Sequence, residues 1–150
     1  MEGERSIQTF LTEDSELSSL NFNLDILNSS IKQLADAIGF KDAIHVGICI
    51  CDSERMTHLH DEFMQDPTET DVMAFPSDEQ GYLGDIIVCK DVAIKEAESL
   101  KHSTEAELYF YCLHGVLHLF GYDDQTPEEK NNMLTLQKNA LLAEGIEIQI

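Results

Sequence analysis

His114 and His118, four residues apart, are the pair best placed in this chain to do chemistry. On a helix that spacing puts both imidazoles on one face, one turn from each other. Gly121 follows three residues after His118, where a helix commonly ends through a left-handed residue. Asp123 and Asp124 come next, the second of them ten residues after His114. A helix would thus present two nitrogen ligands, a glycine would reverse the chain, and a carboxylate would return towards them. Three ligands with a fourth position open is the arrangement of a catalytic zinc site rather than a structural one.

The spacing H-x-x-x-H-x-x-G-x-x-D follows the ligand pattern of the metzincin proteases, with an acid at the third ligand position. Those enzymes carry a general-base glutamate directly after the first histidine. Gly115 stands there in this chain, which excludes a peptidase mechanism built on a helix glutamate. The other histidines read as non-ligands. His45 falls in a strand-like run. His58 and His60 are two residues apart on a helix and cannot share a face, which makes them surface or edge residues. Cys49, Cys51, Cys89 and Cys112 form no C-x-x-C pair and lie in apolar runs, as buried reduced thiols do.

Positioning that stretch requires a long helix and a surface for it to pack on. Ser103 is a suitable N-cap for the helix carrying His114 and His118. Thr126-Pro127-Glu128-Glu129 starts the next helix, which runs to about Ala143, before Gly145. Upstream, 6–12 reads as a short strand and 13–23 as a polar, turn-like segment. The 3.6-residue period of Leu24, Leu27, Ile31, Leu34, Ala35 and Ile38 predicts a helix over 25–40. The run A-I-H-V-G-I-C-I-C-D over 43–52 is apolar at nearly every position, as suits a strand buried on both faces. Ser53 is the expected cap of a helix over 54–64, and 66–69 a turn around Pro67. Strands are expected at 70–75 and 84–89, joined by a polar loop. A further helix capped by Asp91 should run to about Lys101. The order βα–βα–ββ–ααα predicts one mixed α/β or α+β domain over 1–150. It has a small sheet of about four strands covered by about five helices, with the sheet burying the apolar face of the metal helix and so fixing the direction of its histidines.

Composition bounds the partners. The chain has 150 residues, 43% of them apolar, and a formal net charge of −20 from 29 acids against 9 bases. Such a charge repels a nucleic-acid polyanion at long range. An RNA contact would need a local basic patch, a metal, or a second protein. No run is long enough to span a membrane, and Met1-Glu2-Gly3-Glu4-Arg5 has no apolar signal core. The expectation is a cytoplasmic protein.

Three segments carry a resemblance to a known family. H-G-V-L-H-L-F-G-Y-D from His114 is similar to the YbeY signature H-G-x-L-H-L-x-G-Y-D-H. T-D-V-M-A-F-P from Thr70 is similar to the family's T-D-V-L-S-F-P, and L-G-D-I-I-V-C from Leu83 to its L-G-D-I-x-I-C. The order and spacing of the segments, and the length of the chain, also agree. The resemblance implies a bacterial cytoplasmic protein with a zinc-protease-like fold and one zinc ion held by three side chains. It further implies single-strand-specific endoribonuclease activity, maturation of the 3′ end of small-subunit ribosomal RNA, and ribosome quality control. The implied partners are ribosomal RNA and the small subunit with its basic proteins, without membrane or DNA.

Carried over position by position, the resemblance makes His114 and His118 the first two ligands and puts Asp124 where the family has a third histidine. Asp123 is the adjacent alternative. A carboxylate is an accepted zinc ligand, but it lowers the charge of the site by one and favours harder ions such as manganese or magnesium. The family's phosphate-facing arginine aligns with Met64. No Lys or Arg lies between Arg55 and Lys90, so Arg55 is the only substitute within reach of the sequence. Without a helix glutamate, the proton acceptor must be a metal-bound water, Asp85 or Asp71. Two other readings are a weakly active or inactive ribosome-assembly factor that binds basic ribosomal proteins, and a metallopeptidase-like hydrolase.

Overall fold

The computed structural model describes residues 6–12, 15, 17 and 19–149. The charged N-terminal five residues, positions 13, 14, 16 and 18 of the expected turn-like segment, and residue 150 lie outside the described residues. The elements are β1 (Ile7–Leu11), α1 (Leu24–Ile38), β2 (Ile44–Cys51), α2 (Ser53–Met64), β3 (Val72–Pro76), β4 (Gly84–Cys89), α3 (Lys90–Leu100), α4 (Thr104–Leu119) and α5 (Pro127–Leu142). They appear in the order expected from the sequence, in an α+β domain.

Short polar side chains set most helix starts. Asn23 accepts from the backbone N–H groups of Asp25 and Ile26, Ser103 from Ala106, and Thr126 forms a reciprocal capping box with Glu129. Two expected caps are corrected. Asp52, not Ser53, caps α2 by accepting from the Arg55 N–H. Asp91 does not cap α3, which starts at Lys90 without a side-chain cap. Its carboxylate reaches 38 residues back in sequence and accepts the Ser53 N–H at 2.8 Å. Asp91 thus serves an orphan donor of α2 instead.

The four strands form one sheet in the order β1-β2-β4-β3. β1, β2 and β4 run parallel, and β3 pairs antiparallel with β4. β3 therefore has one edge without a strand neighbour among the described residues. Alternation along the strands divides the sheet into two faces. Ile44, Val46, Ile48, Ile50, Ile86 and Val88 pack with α1, α4 and α5 in the main core. Cys49, Cys51, Met73 and Cys89 point the other way and pack under Met56 of α2. All four cysteines are buried and unpaired. Burial, with the thiols of Cys49 and Cys89 beside it, pushes Cys51 up to about 12, and burial alone pushes Cys112 up, so these thiols are held unreactive.

α4 is the central helix. Its residues are buried on almost every side, as befits a helix enclosed between a sheet and other helices. Gly115 allows it to lie close to the sheet. A Cβ there would come within 2.9–3.0 Å of three side-chain atoms of the fully buried Ile86. The position that metzincins fill with glutamate is thus the contact point between helix and sheet, and packing leaves no room for that side chain.

Candidate metal centre

α4 ends where its two histidines need it to. Gly121 takes a φ of 98° and its N–H bonds the His118 carbonyl, while the Tyr122 N–H bonds the Leu117 carbonyl. This pair of bonds is the Schellman motif, which here folds the following residues back over the last turn. Asp124 is thereby returned to the histidines. The Nε2 atoms of His114 and His118 lie 3.1 Å apart. Asp124 Oδ2 is 3.2 Å from the first and 3.8 Å from the second. A tetrahedral ion with bonds of about 2.0–2.1 Å needs its ligand atoms about 3.3 Å apart, and these three distances bracket that value.

The donor chemistry also fits a cation. His118 Nδ1 lies 3.0 Å from the Tyr122 carbonyl, which only accepts, so Nδ1 carries the proton and Nε2 the lone pair. His114 Nδ1 lies 2.9 Å from Gln137 Oε1. The orientation of that amide is fixed because Gln137 Nε2 donates to the Phe110 carbonyl at 3.1 Å. Two lone pairs and a carboxylate oxygen therefore converge with no donor between them. A bound cation relieves that arrangement, as would a proton shared between a ring and the carboxylate. His114, His118 and Asp124 are the one such triad among the described residues.

Gln137 escaped the sequence reading. It is fully buried on α5, in phase with Met133, Ala140 and Leu141. A polar residue at a core position of an amphipathic helix was the available signal. The structure brings Asp124 rather than Asp123 to the histidines. Asp123 is exposed and accepts from the Asp124 N–H at 2.8 Å.

Three further sequence candidates lie elsewhere. Asp85 neighbours Ile86 on β4 and so points to the face away from α4. There Tyr82 donates to its carboxylate over Gly47, where a Cβ would collide with both groups. Burial and this bond push the Tyr82 phenol up to about 12. Arg55 lines a groove of about 510 Å³ on that same far face, with Asp85, Phe63 and Phe75. Asp71 accepts from the Val72 N–H at 2.8 Å at the start of β3 and lines a separate cavity beside Glu107 and Tyr111. None of the three faces the histidine pair.

A cleft of about 420 Å³ does open beside His118. Val72, Met73 and Ala74 of the β3 edge form its floor, and His60, Met64, Asp66 and Thr70 its remaining walls. Met64, 50% exposed, occupies this wall. The Thr68 hydroxyl and then the Thr68 N–H hold the Asp66 carboxyl below the usual carboxylate range.

Fold and site together define an α+β domain with a candidate metal triad at the exit of its central helix. The chain belongs to the endoribonuclease YbeY family, whose sequence pattern matches residues 9–144. It is 37% identical to the Endoribonuclease YbeY of Thermobifida fusca (strain YX) over 123 residues, 75% of this chain and 79% of that protein. It is also 37% identical to the Endoribonuclease YbeY of Nocardioides sp. (strain ATCC BAA-499 / JS614) over 144 residues, 81% of this chain and 97% of that one. The solution structure of TM1509 from Thermotoga maritima shares the fold, with a TM-score of 0.57 at 24% identity over 90% of this chain and 86% of that one.

Proposed function

We propose that this protein is a metal-dependent endoribonuclease that cuts single-stranded RNA in the maturation of small-subunit ribosomal RNA, in the cytoplasm. The convergence of His114 Nε2, His118 Nε2 and Asp124 Oδ2 carries this reading, together with membership of the family. Two imidazoles and one carboxylate suit zinc, since the hard ions magnesium and manganese favour all-oxygen shells. When bound, the ion would polarise a phosphoryl oxygen and activate water for attack on it. The protein's part is to hold the triad in place through Gln137 and the Tyr122 carbonyl, and to admit a strand of RNA along the open edge of β3. The test is cleavage of a single-stranded RNA oligonucleotide before and after chelation, followed by zinc addition. Activity should disappear and return; cleavage undiminished in metal-free protein would contradict the assignment.

The reading as a non-catalytic assembly factor draws on the cleft itself. Among the described residues no lysine or arginine lines it, and the chain carries a charge of −20. Such a protein would bind basic ribosomal proteins. A metal-site variant that still complemented a ribosome-maturation defect would favour this second reading. Met64 offers a finer probe because it stands on the cleft wall where the family's arginine aligns. Met64→Arg should bind single-stranded RNA about three- to tenfold more tightly and steepen the salt dependence, read by titration at two ionic strengths.

A further inference from the structure

We propose that the cavity beside Glu107 and Tyr111 binds a linear oligoamine, a small molecule with several alkylammonium groups; the site stands apart from the metal triad and does not rest on the RNA-cleaving reading. The cavity holds about 480 Å³. Four carboxylates line it: Glu69 and Asp71 just before β3, Glu96 on α3 and Glu107 on α4. Among the described residues no lysine or arginine does. Lys95, outside the lining, bonds Glu69 at 3.2 Å. Glu107 is 5% exposed, and its partner is the ring of His102. His102 Nδ1 accepts the Gln149 N–H at 3.3 Å, so the ring proton sits on Nε2 and reaches Glu107 as a neutral donor. That carboxylate is therefore buried without a cation beside it, a costly state.

Tyr111 is the second, independent observation. It is 4% exposed, and its hydroxyl has no hydrogen-bond partner among the described residues. Burial first, and then the charges of Glu107, Asp71 and Glu96, push the phenol up, so the oxygen keeps its proton. Those three acids all line the cavity, which puts the hydroxyl end of the ring on that side. A lone pair left unpaired beside carboxylates lacks a donor, and an ammonium is all donor. Spacing then selects the class of ligand. The triad is the one group of three ligand atoms within 4.8 Å of one another among the described residues, so the cavity's acids lie too far apart to share a metal ion. Val92, Leu100 and Ile148 supply apolar wall between them. Charges joined by short methylene chains match both features, whereas a lysine side chain brings only one charge.

The test is calorimetric titration of spermidine into the full chain at physiological salt, where diffuse attraction to the acidic surface is screened. Binding should saturate at one equivalent per chain, and n-butylamine, with a single ammonium, should bind at least about tenfold more weakly. Tyr111→Phe removes only the hydroxyl and should weaken spermidine about tenfold. Its melting temperature without ligand should stay at or above wild type, because no internal bond is lost. Glu96→Gln should weaken spermidine about fivefold. Asp42→Asn takes the same charge from an exposed position before β2 and should leave the affinity unchanged. Four results would overturn the inference: uptake that does not saturate; equal weakening in Asp42→Asn and Glu96→Gln; n-butylamine or N-acetyl-lysine amide binding as tightly as spermidine; or a Tyr111→Phe protein that binds like wild type or melts well below it.

Discussion

His114→Ala is expected to lower the rate of single-stranded RNA cleavage at least about a thousandfold, about 4 kcal/mol of barrier. The substitution removes one of three ligand atoms that lie 3.1–3.8 Å from one another. A two-ligand remnant of His118 and Asp124 has no fixed third corner to hold an ion. The same change leaves Gln137 Oε1 without its ring donor in a fully buried position, which costs about 1–3 kcal/mol of stability. Circular dichroism of the variant therefore belongs beside the assay. Loss of cleavage in a protein that keeps a cooperative melt is the expected outcome. Wild-type rates in a folded His114→Ala protein would remove the triad from the mechanism.

Gln137→Leu tests the support rather than the ligand. Gln137 links two helices, accepting from His114 on α4 and donating to Phe110 on the same helix. A leucine fills the same space but lets the His114 ring rotate and frees its Nδ1 proton choice. Outer partners of this kind are worth about 10–100-fold in metal affinity. Zinc titration of Gln137→Leu should show a loss in that range, with RNA cleavage falling in step at limiting zinc and recovering at high zinc. Recovery at high zinc distinguishes a misaligned ligand from a lost one. Affinity equal to wild type would show that the imidazole is oriented by helix packing alone.

Much of the fold was legible because local chemistry and tertiary structure agree. The Ser103 and Thr126 caps, the period of α1 and the apolar run of β2 each follow from sequence and each recur in the structure. The triad was legible for the same reason, since helix spacing and one glycine turn place all three residues within a single local segment. What could not be read was the face to which a strand residue points. β2 is apolar throughout because both its faces are covered, so alternation gives no sign of which side receives α4. Asp85 and Arg55, offered as base and phosphate contact, lie on the other side for that reason. Asp71 accepts the first N–H of β3 and lines the cavity beside Glu107 and Tyr111, a placement that its spacing in the sequence does not contain. Spacing alone makes His60 a surface or edge residue, and the structure puts it on the wall of the cleft beside His118. That position follows from the packing of α2 beside the β3 edge, a placement that helix spacing alone does not contain.

The central claim is that His114, His118 and Asp124 grip one cation. Elemental analysis of protein purified without added chelator, followed by zinc titration of the stripped protein, tests it most directly. One equivalent of zinc per chain, lost in His114→Ala, is the result expected. A wild-type protein that carries no metal and takes up none on titration would contradict the account.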